Sequence, residues 1–441
     1  MTMATRFPRM LPLRQKFPSY PRIDVRSELG AELEASKIAA RIKPGSRIAL
    51  GVGSRGIANL DKIVFTIVEF LKHRGAHPFL VPAMGSHGGA TPEGQKAVLA
   101  GYGITEETME VPLQTSLAVE RLGETEDGVE VFFSADALRA DGIIPINRIK
   151  PHTDFSGDIG SGIRKMVAIG FAKRTGAVAC HAAAARLGHA QVILSVAQFL
   201  FSRVPILCGV AILENQVHET HRLAVLRPEE IALREAALLV EAKQLMPRLP
   251  FDDIDLLIVD HLGKDVSGAG MDPNIIGRGV QGYSAALNQN HGDSPVIRRI
   301  FVRELTSATH GNAIGIGMAD VTTTRLVRAI DTRATYINAL SAVTPQTAKV
   351  PIHFDTDREA LEQLLNSLCL PRGAAPRTVR ILDTLSLETL LASEAYREEI
   401  RGRSDLVPLG EPEEMQFDVQ GNLAPMVVPA EKSPQFNRVA H

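Results

Sequence analysis

"RIALGVGSRGIANLDKIVFTIVEFLKHRGAHPFLVPAM", residues 47–84, reads as strand, glycine loop, helix and strand in succession. The run 47–54 has the length and apolarity of a buried strand. In 58–76, Leu60, Ile63, Val64, Ile67, Val68 and Leu71 recur at helical spacing, and Gly75 supplies a stop. Residues 77–84 return to a strand pattern. Such a unit predicts parallel strands joined by a crossover helix.

The rhythm continues outward. Thr91-Pro92 opens a helix with a capping hydroxyl and a proline at the first helical position. Residues 128–134 and 141–149 are strand candidates, 189–204 a helix, 205–213 a strand and 227–246 a long helix. Two prolines in 247–253 mark a boundary. The rhythm restarts with a strand at 254–263, goes on through 312–321 and 348–354, and reaches a helix at 357–368. The predicted fold class is α/β: two α/β domains, mostly parallel sheets flanked by helices, with the active site in the cleft between them. The expected domains are 1–250 (catalytic and cofactor-binding) and 251–400. An extended tail follows over 401–441, rich in Pro, Glu and Gln.

The 441 residues are 45% hydrophobic and 22% charged, the composition of a soluble globular protein. A net charge of −2 argues against a nucleic-acid or anionic-membrane surface. With no tryptophan and 5% aromatics, a platform for stacking bases is not expected either. Cys180, Cys208 and Cys369 have no paired spacing, which fits a reducing, cytoplasmic setting. The basic first residues lack the apolar core of a signal peptide, and no apolar run approaches the roughly 20 residues of a membrane helix.

In open α/β sheets, ligands gather at the C-terminal ends of strands. Three glycine-rich loops fall there. "GVGSRG" carries Arg55, which either clamps a carboxylate or stays in solvent. "GSHGG" carries His87, a proton carrier or a turn residue. "KPHTDFSGDIGSGIRKM", 150–166, carries His152 with Asp154 and Asp158 nearby, and ends at Lys165. That lysine precedes an apolar run, so it is either snorkelling or a desolvated nucleophile. His181 follows Cys180. Both types bind transition metals, yet no multi-ligand spacing surrounds them. In the second domain, 263–279 gathers Lys264, Asp265, Asp272, Asn274 and Arg278 among glycines, and 309–320 adds His310, Asn312 and Asp320. Their polar density suggests a site at the domain interface.

Taken together, Arg55 in "GVGSRG", His87 in "GSHGG", His152 in a Pro-His segment, Lys165 closing a Ser-Gly loop, and His181 sixteen positions later resemble the nickel-dependent lactate racemase family. The resemblance implies a nickel-pincer nucleotide, a pyridinium mononucleotide with two sulfur arms and a carbon that hold Ni. Lys165 would tether it through a thioamide, and His181 would be its one protein metal ligand. Ser54, Gly157 and Gly162 would line it. His87 and His152 would exchange the substrate's hydroxyl proton from opposite faces while hydride passes to the cofactor and back. Arg55 would bind the carboxylate. The implied function is a racemase or epimerase of a 2-hydroxy acid, with cofactor-biosynthesis proteins as partners and room for a homo-oligomer.

Family members acting on lactate place a glutamine and a lysine after an Asp-x-Asn segment. Here Gly277 and Val280 stand at those positions, and Arg278 and Lys264 are the nearest cations. The loop from His152 to Lys165 is also about three residues longer, with Asp154 and Asp158 in it. A larger or more polar acid than lactate is therefore expected, with Lys264, Arg278 and Asp154 among its contacts. Two other readings stay open. One is a non-catalytic binding protein for a small organic acid or nucleotide on the same fold. The other is a metal-dependent hydrolase or lyase using His181, Cys180 and an aspartate.

Overall fold

The computed structural model describes residues 7–426 apart from Arg55, 154–156, 281–294 and Arg372. The chain divides into two compact units. Among the described residues, one is Ser19–Met246; the other joins the segment up to Pro18 to the chain from Pro247 to Met426. The first strand, β1 (Met10–Gln15), thus belongs to the second unit.

The Ser19–Met246 unit contains β2 (Arg47–Val52), β3 (His77–Pro82), a hairpin of β4 (Val119–Glu124) and β5 (Glu130–Ser134), then β6 (Gly142–Arg148), β7 (Gly209–Glu214) and β8 (Thr220–Leu226). Its main sheet runs β3-β2-β6-β7-β8. All pairings are parallel except β7 with β8. Alternate side chains serve opposite faces, as strand geometry requires. Ile48, Leu50 and Val52 of β2 pack with Ile63, Val64 and Ile67 of the helix Leu60–Lys72. Ala49, Val81, Ile143 and Ala211 face the other way, against Met166, Phe171 and the helix His189–Phe201. Both faces are covered, so the middles of β2, β3, β6 and β7 are apolar on both sides.

One contact sets the height of the second layer. A Cβ on Gly51 would lie 2.1 Å from Cζ of Phe171, so only glycine lets that ring rest on β2. Phe171 also stacks on Phe133 of β5, with centroids 4.9 Å apart.

The second unit contains β1, β9 (Asp253–Leu262), β10 (Val296–Leu305), β11 (Val321–Thr323), β12 (Ile352–Phe354), β13 (Thr378–Ile381), β14 (Thr389–Ser393) and β15 (Leu406–Pro408). Its sheet order is β12-β11-β10-β9-β13-β14-β1-β15. The pairings from β12 to β13 are parallel, and the rest are antiparallel.

One sequence expectation differs from this arrangement. Residues before Pro18 were grouped with the first domain, but β1 finds its partners in β14 and β15 because five of its residues pair along β14. Within 312–321 only Val321 belongs to a strand. Gly315 there adopts a left-handed φ of 94° and starts a 3-10 turn.

The described part of the expected tail is fastened. Arg303 and Arg380 share buried Asp260, and Arg303 also pairs with buried Asp357. The same arginines donate to the carbonyls of Leu423 and Ala424, and Asp357 accepts from Leu423 N. Among the described residues, no helix is long and apolar enough to cross a membrane.

Candidate active site

His87 sits five residues beyond β3, half-buried in a glycine turn. Its Nδ1 shares a hydrogen bond with Oγ of Ser54, at the end of β2. Ser54 is itself fixed, since its carbonyl accepts from Tyr102 Oη at 2.7 Å. Buried Gln95 donates to the carbonyl of Gly85 at 3.1 Å and to that of His87 at 3.4 Å. Parallel pairing of β2 with β3 therefore delivers two loops side by side, and side chains on each lock the imidazole.

The loop from Lys150 to Lys165 is closed by reciprocal backbone bonds between Lys150 and Ser161. Lys165 then lies in a helical turn, Ile163–Lys165. Its Nζ is 2.5 Å from Nε2 of His152, so the two ends of the loop meet. Both side chains are half-buried. Gly157 is exposed and receives Nζ of Lys243 on its carbonyl at 3.0 Å.

A residue that the sequence did not flag holds this turn. Glu235, on the helix Ile231–Gln244, is buried at 3% exposure. Its carboxylate accepts from the backbone N–H and, at 2.9 Å, from Nε of Arg164. Burial pushes the Glu235 carboxyl upward, and Arg164 opposes that shift. A Cβ on Gly162 would lie 2.0 Å from Glu235 Oε1, so glycine is needed for the carboxylate to reach the turn. Asn147, near the end of β6, completes the cradle by donating to the Gly162 carbonyl at 2.8 Å.

After Lys165 the chain makes a single π-turn, Met166–Gly170, and enters the helix Lys173–Leu187. His181 is on that helix. Its ring meets His189 edge-on, with centroids 5.7 Å apart, and His189 lies 6.4 Å from His152. His189 begins the next helix and was also missed in the sequence, where it follows Gly188 as an ordinary helix start. Cys180 points inward to the carbonyl of Ala168, and burial pushes its thiol up to about 12. A thiol so buried and raised is a poor free nucleophile, which weighs against that role in the hydrolase reading.

The first unit thus brings His87 to Ser54, His152 to Lys165, and His181 to His189. Arg55 and Asp154 lie outside the described residues. Lys264 and Arg278 belong to the second unit. Lys264 is half-buried, and its N–H donates to Thr309 Oγ1 at 3.2 Å. Arg278 is 6% exposed, with Nη2 on Asp320 at 2.6 Å and Nη1 on the Met318 carbonyl at 2.9 Å. That guanidinium ties its loop to the segment before β11 and is not presented as an open anion clamp.

Among the described residues, no three His, Cys, Asp or Glu side chains converge as a metal-binding group. A metal at His181 would therefore need its remaining ligands from a cofactor. The surroundings fit that requirement. Lys165 is a half-buried amine on the turn Ile163–Lys165, and His181 is half-buried on the following helix.

Residues 23–191 match the family profile of the lactate racemase N-terminal domain. No curated protein sequence matches the chain. Among solved structures, the lactate racemase apoprotein from Thermoanaerobacterium thermosaccharolyticum aligns with a TM-score of 0.51 at 13% identity, over 86% of this chain and 99% of that one. A protein from Thermotoga maritima aligns with a TM-score of 0.47 at 13% identity, over 74% of this chain and 84% of the other.

Proposed function

We propose that the chain, whose residues 23–191 match the lactate racemase N-terminal domain, is a member of the lactate racemase family and a racemase or epimerase of a 2-hydroxy acid. It would work with a nickel-pincer nucleotide tethered to Lys165 and ligated by His181. The observation that carries this reading is the cradle around Lys165. A buried Arg164–Glu235 pair and a glycine fix the turn, and the half-buried amine meets an imidazole.

When bound, the nucleotide supplies a hydride acceptor for the substrate's α-hydrogen. The chain's own residues handle the proton. His87 and His152 take it from the hydroxyl and return it, a task suited to imidazole near neutral pH. Ser54 holds the His87 ring in one orientation, which reduces the reorganisation needed in each turnover. Arg55 is the proposed partner of the carboxylate. Because Arg278 is engaged by Asp320, it is proposed to shape its loop, not to bind substrate. The polar 150–165 loop favours a sugar acid or hydroxydiacid over lactate. A cytoplasmic setting, with cofactor-building enzymes as partners, belongs to the same proposal.

The test is co-expression with a nickel-pincer pathway, then intact mass and α-hydrogen exchange across a panel of 2-hydroxy acids. The proposal expects a mass gain that maps to Lys165 and exchange on at least one acid. A loaded protein that exchanges no α-hydrogen would support the binding-protein reading instead.

A further inference from the structure

Lys173 is a buried cation that the proposed chemistry leaves unexplained. It opens the helix Lys173–Leu187 at 0% exposure. Three features of its placement are unfavourable. Its ammonium is out of water. Its backbone is left-handed, with φ 54° at a residue that has a side chain. Its positive charge stands at the N-terminal end of a helix, where the dipole repels it. Snorkelling cannot relieve the burial at zero exposure. Asp136 favours the ammonium, and its own Oδ2 is buried without a hydrogen-bond partner among the described residues.

The lysine's contact explains why these penalties are tolerated. Nζ donates to the carbonyl of Pro82 at 2.6 Å. Pro82 is the last residue of β3, and the chain reaches His87 five residues later. A second tie joins the same two segments, for Gly85 N donates to the carbonyl of Gly170 at 3.1 Å. Gly170 and Lys173 follow directly on the turn that holds Lys165. One short segment, 165–173, therefore fixes both the proposed tether and the base of the His87 loop.

We propose that Lys173 is a positioning residue, whose ammonium locks the end of β3, and with it His87, to the helical segment that begins at Lys165. This rests on the reading that His87 and Lys165 serve one site. A charge-assisted bond from a long, thin stem suits the task, because it crosses a packed layer and ends on a single carbonyl.

The test uses the full chain with Lys173→Met, which keeps the stem and removes the charge and donor. Acylation of His87 by diethylpyrocarbonate is followed by peptide mass, with exposed His353 as the internal reference. This readout needs neither cofactor nor substrate. The relative His87 rate is expected to change by about threefold or more while the folded fraction at pH 7 is retained. An unchanged His87 rate overturns the proposal. Asp136→Asn removes the charge that favours the ammonium and should move the His87 rate the same way by a smaller factor. If Lys173→Met does not fold, Asp136→Asn decides, and an unchanged rate there overturns the proposal. In loaded protein, Lys173→Met should lower kcat about tenfold or more with KM within about threefold. A wild-type protein that loads but turns nothing over defeats the proposed function, while the His87 rate still judges Lys173.

Discussion

Nζ of Lys165 and Nε2 of His152 lie 2.5 Å apart, although thirteen residues of chain separate them. The proposed tether and a proposed proton carrier are thus joined before any cofactor arrives. Attachment would convert the amine into an uncharged amide-type nitrogen, so His152 would lose a cationic neighbour on loading. Lys165→Ala is expected to abolish the mass gain and all turnover. His152→Ala is expected to keep the mass gain and lose about 10²–10⁴-fold in kcat, the usual worth of a general acid–base group. Intact mass and α-hydrogen exchange on the same samples check both.

His181 permits a complementary separation. His181→Ala should leave the adduct on Lys165 while lowering bound nickel to a small fraction of one per chain. Metal analysis beside intact mass checks this. Retention of nickel would transfer the metal role elsewhere, and His189, 5.7 Å away by ring centroids, is the first residue to examine.

Glu235 and Arg164 form a buried pair beneath the tether. Removing one partner of such a pair strands the other charge. Glu235→Ala should therefore lower stability by about 3–5 kcal/mol, whereas the apolar double variant Arg164→Met with Glu235→Leu should recover most of it. Denaturant unfolding checks the stability. The double variant should still load Lys165 poorly, because nothing then caps the Ile163–Lys165 turn.

Much of the first unit was legible in the sequence because its signals are local. The spacing of Leu60, Ile63, Val64, Ile67 and Val68 places one face of a helix, and the observed helix buries those side chains. The strands around it announced themselves as short apolar runs. Glu235 and Lys173 were illegible for the opposite reason. Each is a charged residue in a helical segment rich in charge or alanine, and its burial depends on contacts 71 and 91 residues away. Arg278 misled in the same way, since a cation in a polar glycine loop resembles a ligand clamp until its partner, Asp320, is located. The antiparallel half of the second sheet was hidden too, because β1 and β14 pair across most of the chain.

Lys173 has a consequence for stability against pH. Burial lowers it from 10.5 to about 8. Between those values the unfolded chain still holds the proton and the folded chain has released it. Stability from this group therefore rises with pH from about 8 to about 10.5, by a total on the order of 3 kcal/mol, and is flat below that window. Lys173→Met should remove this rise. Thermal midpoints of the two proteins between pH 7 and 10 check it, as a wild-type midpoint that rises relative to the variant's toward high pH.

The Leu423 and Ala424 carbonyls satisfy Arg303 and Arg380 deep in the second unit. Ending the chain before residue 413 would leave both arginines short of acceptors and uncover apolar surface. A loss of about 3 kcal/mol or more is expected, read as a lower denaturant midpoint.

The placement of β1 gives the chain a timetable. Arg14 pairs with Thr389, so a strand made among the first residues waits for partners made near the end. At about 5–20 residues per second, that delay is roughly 20–75 s on the ribosome. The Ser19–Met246 unit has all its strands within that interval and is free to fold first. Through those seconds the apolar face of β1 has no native partner. A chaperone that shields β1 while β14 is still being made would therefore raise the yield of this protein more than one acting after both strands are complete.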